Sequence, residues 1–168
     1  MIAGRPVRGL HPAVVLGILD VAGLLIASYL SYAQLQGALP YCGPLKGCEQ
    51  VALSEYSRLA GVPVAVFGVV LSLALLALAT AWWMTDDRRL LASHYGLSLV
   101  GVIFELYFTY LELFVIGAVC VWCAAYGLSL VARFVVALWV WTRRDRGTRP
   151  PRGRGYVGKH ALERATKE

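Results

Sequence analysis

The apolar and polar positions of the chain divide it into long apolar stretches separated by short polar breaks. Val14 to Leu35 holds no Lys or Arg and one acid, Asp20. At 1.5 Å per residue it is long enough to cross a hydrocarbon core of roughly 30 Å. A basic lead before an apolar run also suits a signal peptide, but this run is too long for one. Gly61-Val62-Pro63 opens a second stretch, with proline tolerated in a first helical turn. That stretch ends near Met84, before the charged turn Asp86-Asp87-Arg88-Arg89. Leu90 to Trp141 is about twice the length of one span, which predicts a hairpin of two helices. Its least apolar place, Glu112 to Gly117, predicts the turn. The expected spans are therefore about 14–35, 62–84, 90–112 and 116–141. The fold class they predict is an all-α polytopic membrane protein, a bundle of four transmembrane helices over residues 12–141.

Between the first two spans, Gln36 to Gly61 is rich in Gly, Pro and polar residues and carries Cys42, Cys48, Ser54 and Arg58. Val51, Ala52, Tyr56 and Leu59 are spaced as on a short amphipathic helix over Glu49 to Leu59. Such a helix suits a loop that caps the mouth of the bundle.

Composition removes the soluble alternatives. With 58% hydrophobic and 15% charged residues the chain lies far from an ordinary soluble domain. A net charge of +6 on a soluble surface would suggest nucleic acid, but most of it falls beyond residue 142. Residues 1–11 form a basic lead with Arg5 and Arg8, and residues 142–168 form a basic tail too rich in polar residues, Pro and Gly to pack. Four helices put the lead, the Asp86–Arg89 turn and the tail on one face, with two, two and nine basic residues, thirteen of the sixteen in the chain. Lys46 and Arg58 lie on the other face, and Arg133 falls inside the last helix. The positive-inside rule makes the basic face, with both termini, cytoplasmic and the cysteine loop extracytoplasmic, on the oxidising side of a cell inner membrane.

The candidate chemistry is in the cysteines. Cys120-Val121-Trp122-Cys123 places two thiols at i and i+3 on one helical face, close enough to form a disulfide. With a helix start near Ile116 they lie on the order of 6 to 11 Å from its outer end. A relay would need one exposed pair, Cys42 and Cys48, and one buried pair beside a lipid-soluble carrier. Static bridges and a metal site are the alternatives. Zinc usually draws on His, and His11, His94 and His160 are all assigned to the cytoplasmic face, so no metal is expected at the outward site. Asp20, Glu105 and Glu112 are the carboxylates expected in or near the membrane. Each has two readings: Asp20 a functional group or a satisfied packing residue, Glu105 and Glu112 a proton route or, respectively, a packing residue and a solvated one.

Ser28-Tyr29-Leu30, Tyr41-Cys42-Gly43, Gly47-Cys48-Glu49-Gln50-Val51, Ser54, Gly61-Val62-Pro63, Phe67-Gly68 and the CxxC occur in an order and at distances that resemble bacterial homologues of vitamin K epoxide reductase, over roughly residues 12 to 140. The resemblance implies a quinone-dependent thiol-disulfide oxidoreductase supporting disulfide formation in the periplasm or cell envelope. By it, Cys42 exchanges disulfides with a partner, Cys48 passes electrons inward, Cys120 accepts them and Cys123 meets the quinone, ubiquinone or menaquinone. Ser54, Phe67 and Tyr126 would bind or support that quinone, although Ser54 also reads as a helix-end hydroxyl and Tyr126 as a packing aromatic. No thioredoxin-like domain follows the last helix, so the implied partner is a separate thioredoxin-fold, DsbA-like protein. The mammalian enzymes have Asn where this chain has Val64, and Tyr where it has Gly127, with Tyr126 one position earlier. Those differences point away from vitamin K epoxide as substrate and leave quinone reduction untouched. Two rivals stand beside this reading: a DsbB-type oxidase, whose CxxC lies in its first external loop, and a scaffold with structural bridges.

Overall fold

The computed structural model describes residues 12–42 and 47–148, with side chains described as far as Arg143. The basic lead, Lys46 and the tail beyond Thr148 lie outside the described residues. Four helices are long and apolar enough to cross a membrane. They are α1 (Pro12–Leu35), α3 (Val64–Thr85), α4 (Arg88–Tyr110) and α5 (Val121–Thr148), with the short α2 (Gly47–Leu53) in the loop. The chain is an all-α membrane bundle in which α1 packs on α3 and α5, and α4 packs on α5 and α3.

Large apolar side chains face outward, among them Leu25, Val70, Ile103 and Leu128, while Asp20, Ser72, His94, Ser98 and Arg133 are fully buried. That inversion suits a lipid solvent, where apolar surface costs nothing and polar groups must find partners inside. Two apolar clusters fill the interior. Leu16, Trp82, Leu91 and Val140 lie towards the α3–α4 turn, and Ala27, Leu75, Tyr126 and Leu130 lie nearer the loop. Asp20, His94 and Arg133 fall between them in sequence on α1, α4 and α5.

The α3–α4 turn is capped at both ends. Asp86 adopts a left-handed conformation and its N–H donates to the Trp82 carbonyl, while the Asp87 carboxylate accepts from Arg89 N–H at 2.9 Å. Beyond Trp141, α5 continues to Thr148. Arg143 sits over the Trp139 ring at 3.8 Å.

The loop is less helical than its spacing predicts. Its helix ends at Leu53, a 3₁₀ turn covers Glu55–Ser57, and Arg58–Leu59 pairs antiparallel with Val62–Pro63 as β1 and β2. Ala60 and Gly61 carry positive φ angles of 50° and 82°, the requirement of a tight two-residue hairpin turn. Helix α4 does not turn back at Glu112. It continues as a π-helical turn over Leu111–Ile116 and stops at Gly117, whose φ of 70° ends it. Helix α5 therefore begins five residues later than the expected 116, at Val121.

Candidate functional site

That late start changes the setting of the CxxC. Cys120 is the N-cap of α5: its carbonyl accepts the first helical bond, from Ala124 N–H at 2.9 Å, and its sulfur accepts from Cys123 N–H at 3.4 Å. A sulfur there faces the positive end of the helix dipole, where negative charge is favoured. The Cys123 thiol also donates to it and holds the Cys120 thiol below its ordinary range, against the opposing cost of burial. Both thiols are free, Cys120 buried and Cys123 half-buried.

Cys42 and Cys48 form a disulfide with their Cα atoms 6.0 Å apart. Cys48 is buried at the start of α2, and α2 reaches the CxxC through Gly47. A Cβ on Gly47 would run into the Val119 backbone, so only glycine lets the loop helix lie against the segment leading into Cys120. A second tie comes from Trp122, whose indole N–H donates to the Tyr41 carbonyl at 2.8 Å. Tyr41 N–H in turn donates to the Tyr29 hydroxyl at 3.0 Å, and the Tyr29 and Trp122 rings lie 4.9 Å apart. The loop is thereby pinned to α1 and α5 on both sides of its disulfide.

A cavity of about 410 Å³, mostly apolar, opens among α1, α3, α4, α5 and the loop. Cys48, Cys120, Cys123, Ser54, Phe67 and Tyr126 all line it. Cys42 does not, and joins it only through its bond to Cys48. The volume lies within the range typical of small-molecule sites. Three of the lining residues carry commitments of their own. Ser54 donates to the Val51 carbonyl at 2.7 Å and closes the end of α2. The Tyr126 hydroxyl donates to the Gly68 carbonyl at 3.1 Å and lies 3.3 Å from Ser72, bridging α5 to α3. Phe67 is half-exposed at the cavity wall.

Two carboxylates enter the same cavity. Glu112 is 5% exposed, which overturns its reading as a solvated turn residue. It lies two helical turns after Glu105 and so on the same inward face, and its carboxylate accepts from Cys120 N–H at 3.2 Å. One oxygen of that carboxylate and the sulfurs of Cys120 and Cys123 all lie within 4.8 Å of one another. Glu105 sits against Gly127, where an added Cβ would come within 2.6 Å of its carboxylate oxygen. The space left by Gly127 is thus filled by an acid from α4.

The histidines and the remaining buried charges belong elsewhere. His94 Nε2 lies 3.2 Å from Asp20 Oδ2, and Arg133 Nε lies 3.4 Å from Asp20 Oδ1. His11 and His160 lie outside the described residues. Gly47 and Trp122 entered the sequence analysis only as parts of motifs and Gly127 only as a departure from the family tyrosine, and none of those signals pointed to the contacts they make here.

A sequence profile described as the Vitamin K epoxide reductase family matches residues 14–138, which include all four cysteines. No curated protein matches the chain at a significant level. The matched region takes in most of the bundle, the loop disulfide and the helix-capping CxxC that shares a cavity with it, and this chain belongs to the vitamin K epoxide reductase family, a membrane oxidoreductase of the thiol–disulfide type.

Proposed function

We propose that the protein is a quinone-reducing thiol oxidase that passes electrons from an extracytoplasmic thioredoxin-fold protein, through Cys42–Cys48 and then Cys120–Cys123, to ubiquinone or menaquinone. The observation that carries this reading is the shared cavity, in which a cysteine of the loop disulfide and both CxxC sulfurs face one apolar space. A partner thiolate attacks Cys42, freeing Cys48, and the Cys48 thiolate attacks Cys120 across the contact made by α2. Cys123, one helical turn further in and more open than Cys120, reduces the quinone, and the Cys120–Cys123 disulfide re-forms. The apolar wall suits a quinone ring, with Phe67 and Tyr126 as its aromatic surfaces and Ser54 at the loop edge. Val64 also lines the cavity, and it offers no hydrogen bond to an epoxide or quinone oxygen. The excess of basic residues at the α3–α4 turn and beyond α5 favours an extracytoplasmic loop in the cell inner membrane.

The test is the redox state of the cysteines in native membranes. Alkylation before and after the quinone pool is reduced will show Cys120 and Cys123 passing from disulfide to thiol. Bridges that keep one oxidation state whatever the pool does would make the protein a scaffold.

A further inference from the structure

Closing the Cys120–Cys123 disulfide on a quinone breaks two S–H bonds, forms one S–S bond, and delivers two electrons and two protons to the quinone. Both sulfurs lie in a mostly apolar cavity, so each proton needs an acceptor close by. Cys120 is buried and Cys123 half-buried, and the Cys123 thiol is hydrogen-bonded to the Cys120 sulfur and to the Glu112 carboxylate.

Resting on the function proposed above, we propose that Glu112 is the catalytic base of this site, taking a thiol proton of the Cys120–Cys123 pair as the disulfide closes and releasing it across the cavity to the reduced quinone. The carboxylate is fixed by its bond from Cys120 N–H, 3.2 Å long, and one of its oxygens lies within 4.8 Å of both sulfurs. Ordinary helical spacing carries it there: Glu112 lies seven residues, two helical turns, after Glu105, so both carboxylates come to one face, and the π turn over Leu111–Ile116 leads on to Gly117 and the CxxC. Among the described residues, Glu105, Cys48, Tyr56 and Tyr126 are the other titratable groups on the cavity wall, and Tyr56 belongs to the exposed 3₁₀ turn of the loop. Glu105 is committed to the space beside Gly127, Cys48 to its disulfide and the Tyr126 hydroxyl to Gly68. Glu112 is the carboxylate in hydrogen-bond contact with the reacting pair.

Glu112→Gln separates the base from the backbone anchor, because the amide oxygen still accepts from Cys120 N–H. Quinone reduction driven by dithiothreitol, with a short-chain ubiquinone as acceptor, is expected to lose roughly 10²-fold in kcat with KM for the quinone within about twofold. Glu112→Asp should restore part of the rate, and the deficit of Glu112→Gln should narrow as pH rises and the CxxC thiols ionise unaided. Closure of the reduced pair by diamide, a quinone-independent oxidant, should slow in parallel. Wild-type rates in Glu112→Gln overturn the proposal, as does slowed quinone reduction with unchanged diamide closure, which would set Glu112 against the quinone instead of the thiol. A wild type that reduces no ubiquinone refutes the quinone-reductase reading alone, since the diamide assay still judges Glu112. If Glu112→Gln does not fold, Glu112→Ser takes its place in both assays, and wild-type rates there overturn the proposal.

Discussion

The indole N–H of Trp122 donates to the Tyr41 carbonyl at 2.8 Å, so the residue between the two CxxC cysteines holds the residue before Cys42. The two redox pairs are thus joined by one hydrogen bond as well as by a cavity wall. Trp122→Phe keeps the aromatic contact with Tyr29 and removes the donor. A net loss of about 1 kcal/mol, equivalent to roughly a fivefold change, is expected in the protection of the loop. Turnover with a protein thiol donor should fall by that order while turnover with a small dithiol changes little. Hydrogen exchange at residues 38–42 and the two assays check this together.

Cys120 is held below the ordinary thiol range by the donors of Cys123, so its thiolate persists as pH falls through that range. Alkylation of Cys120 in the reduced protein should therefore reach half its limiting rate at a lower pH than that of an unperturbed thiol. In Cys123→Ala the thiol donor is gone and the midpoint should move upward. An unchanged midpoint would show that the helix end alone sets it.

Asp20 and Arg133 form an ion pair that is fully buried, with Arg133 Nη2 also donating to Ser129 at 3.0 Å. Gly23 makes the space: a Cβ there would overlap the guanidinium. Removing Asp20 leaves the Arg133 charge unpaired in an apolar interior, and removing Arg133 leaves Asp20 with His94 alone, so Asp20→Leu should cost about 3–5 kcal/mol and Arg133→Leu somewhat less. The double variant should cost clearly less than their sum, because both charges leave together. Thermal unfolding of the four proteins in detergent gives the comparison.

Gly47→Ala puts a methyl group into the Val119 backbone. The expected cost is about 1–3 kcal/mol of stability, with the loop helix displaced from the CxxC. Electron transfer from Cys48 to Cys120, followed after reduction of the loop disulfide, should slow more than reduction of the CxxC by dithiothreitol.

The spans were legible because lipid asks for one thing, about twenty apolar residues in a row, and the chain states it in each of four segments. The cysteine motif was legible for a similar reason, since i, i+3 spacing says which thiols can meet. The start of α5 was not. It depends on a π turn and on Gly117 adopting a positive φ, and neither leaves a hydrophobic signature. Those same features move Cys120 from inside a helix to its cap, where its N–H meets the Glu112 carboxylate. The β-hairpin after Ser57 was hidden because Ala60, an ordinary helix former, takes a left-handed conformation beside Gly61. The pairing of Asp20, His94 and Arg133 joins residues on three helices, which no local pattern reveals.

The central claim is the electron path, and quinone reduction by the purified protein tests it most directly. Driven by dithiothreitol in detergent, the wild type should reduce a ubiquinone analogue. Cys123→Ala should abolish the activity, and Cys42→Ala should keep part of it, because a small dithiol can reach the CxxC without the loop. Wild-type activity in both variants, or none in the wild type, would contradict the relay and return the four cysteines to structural bridges.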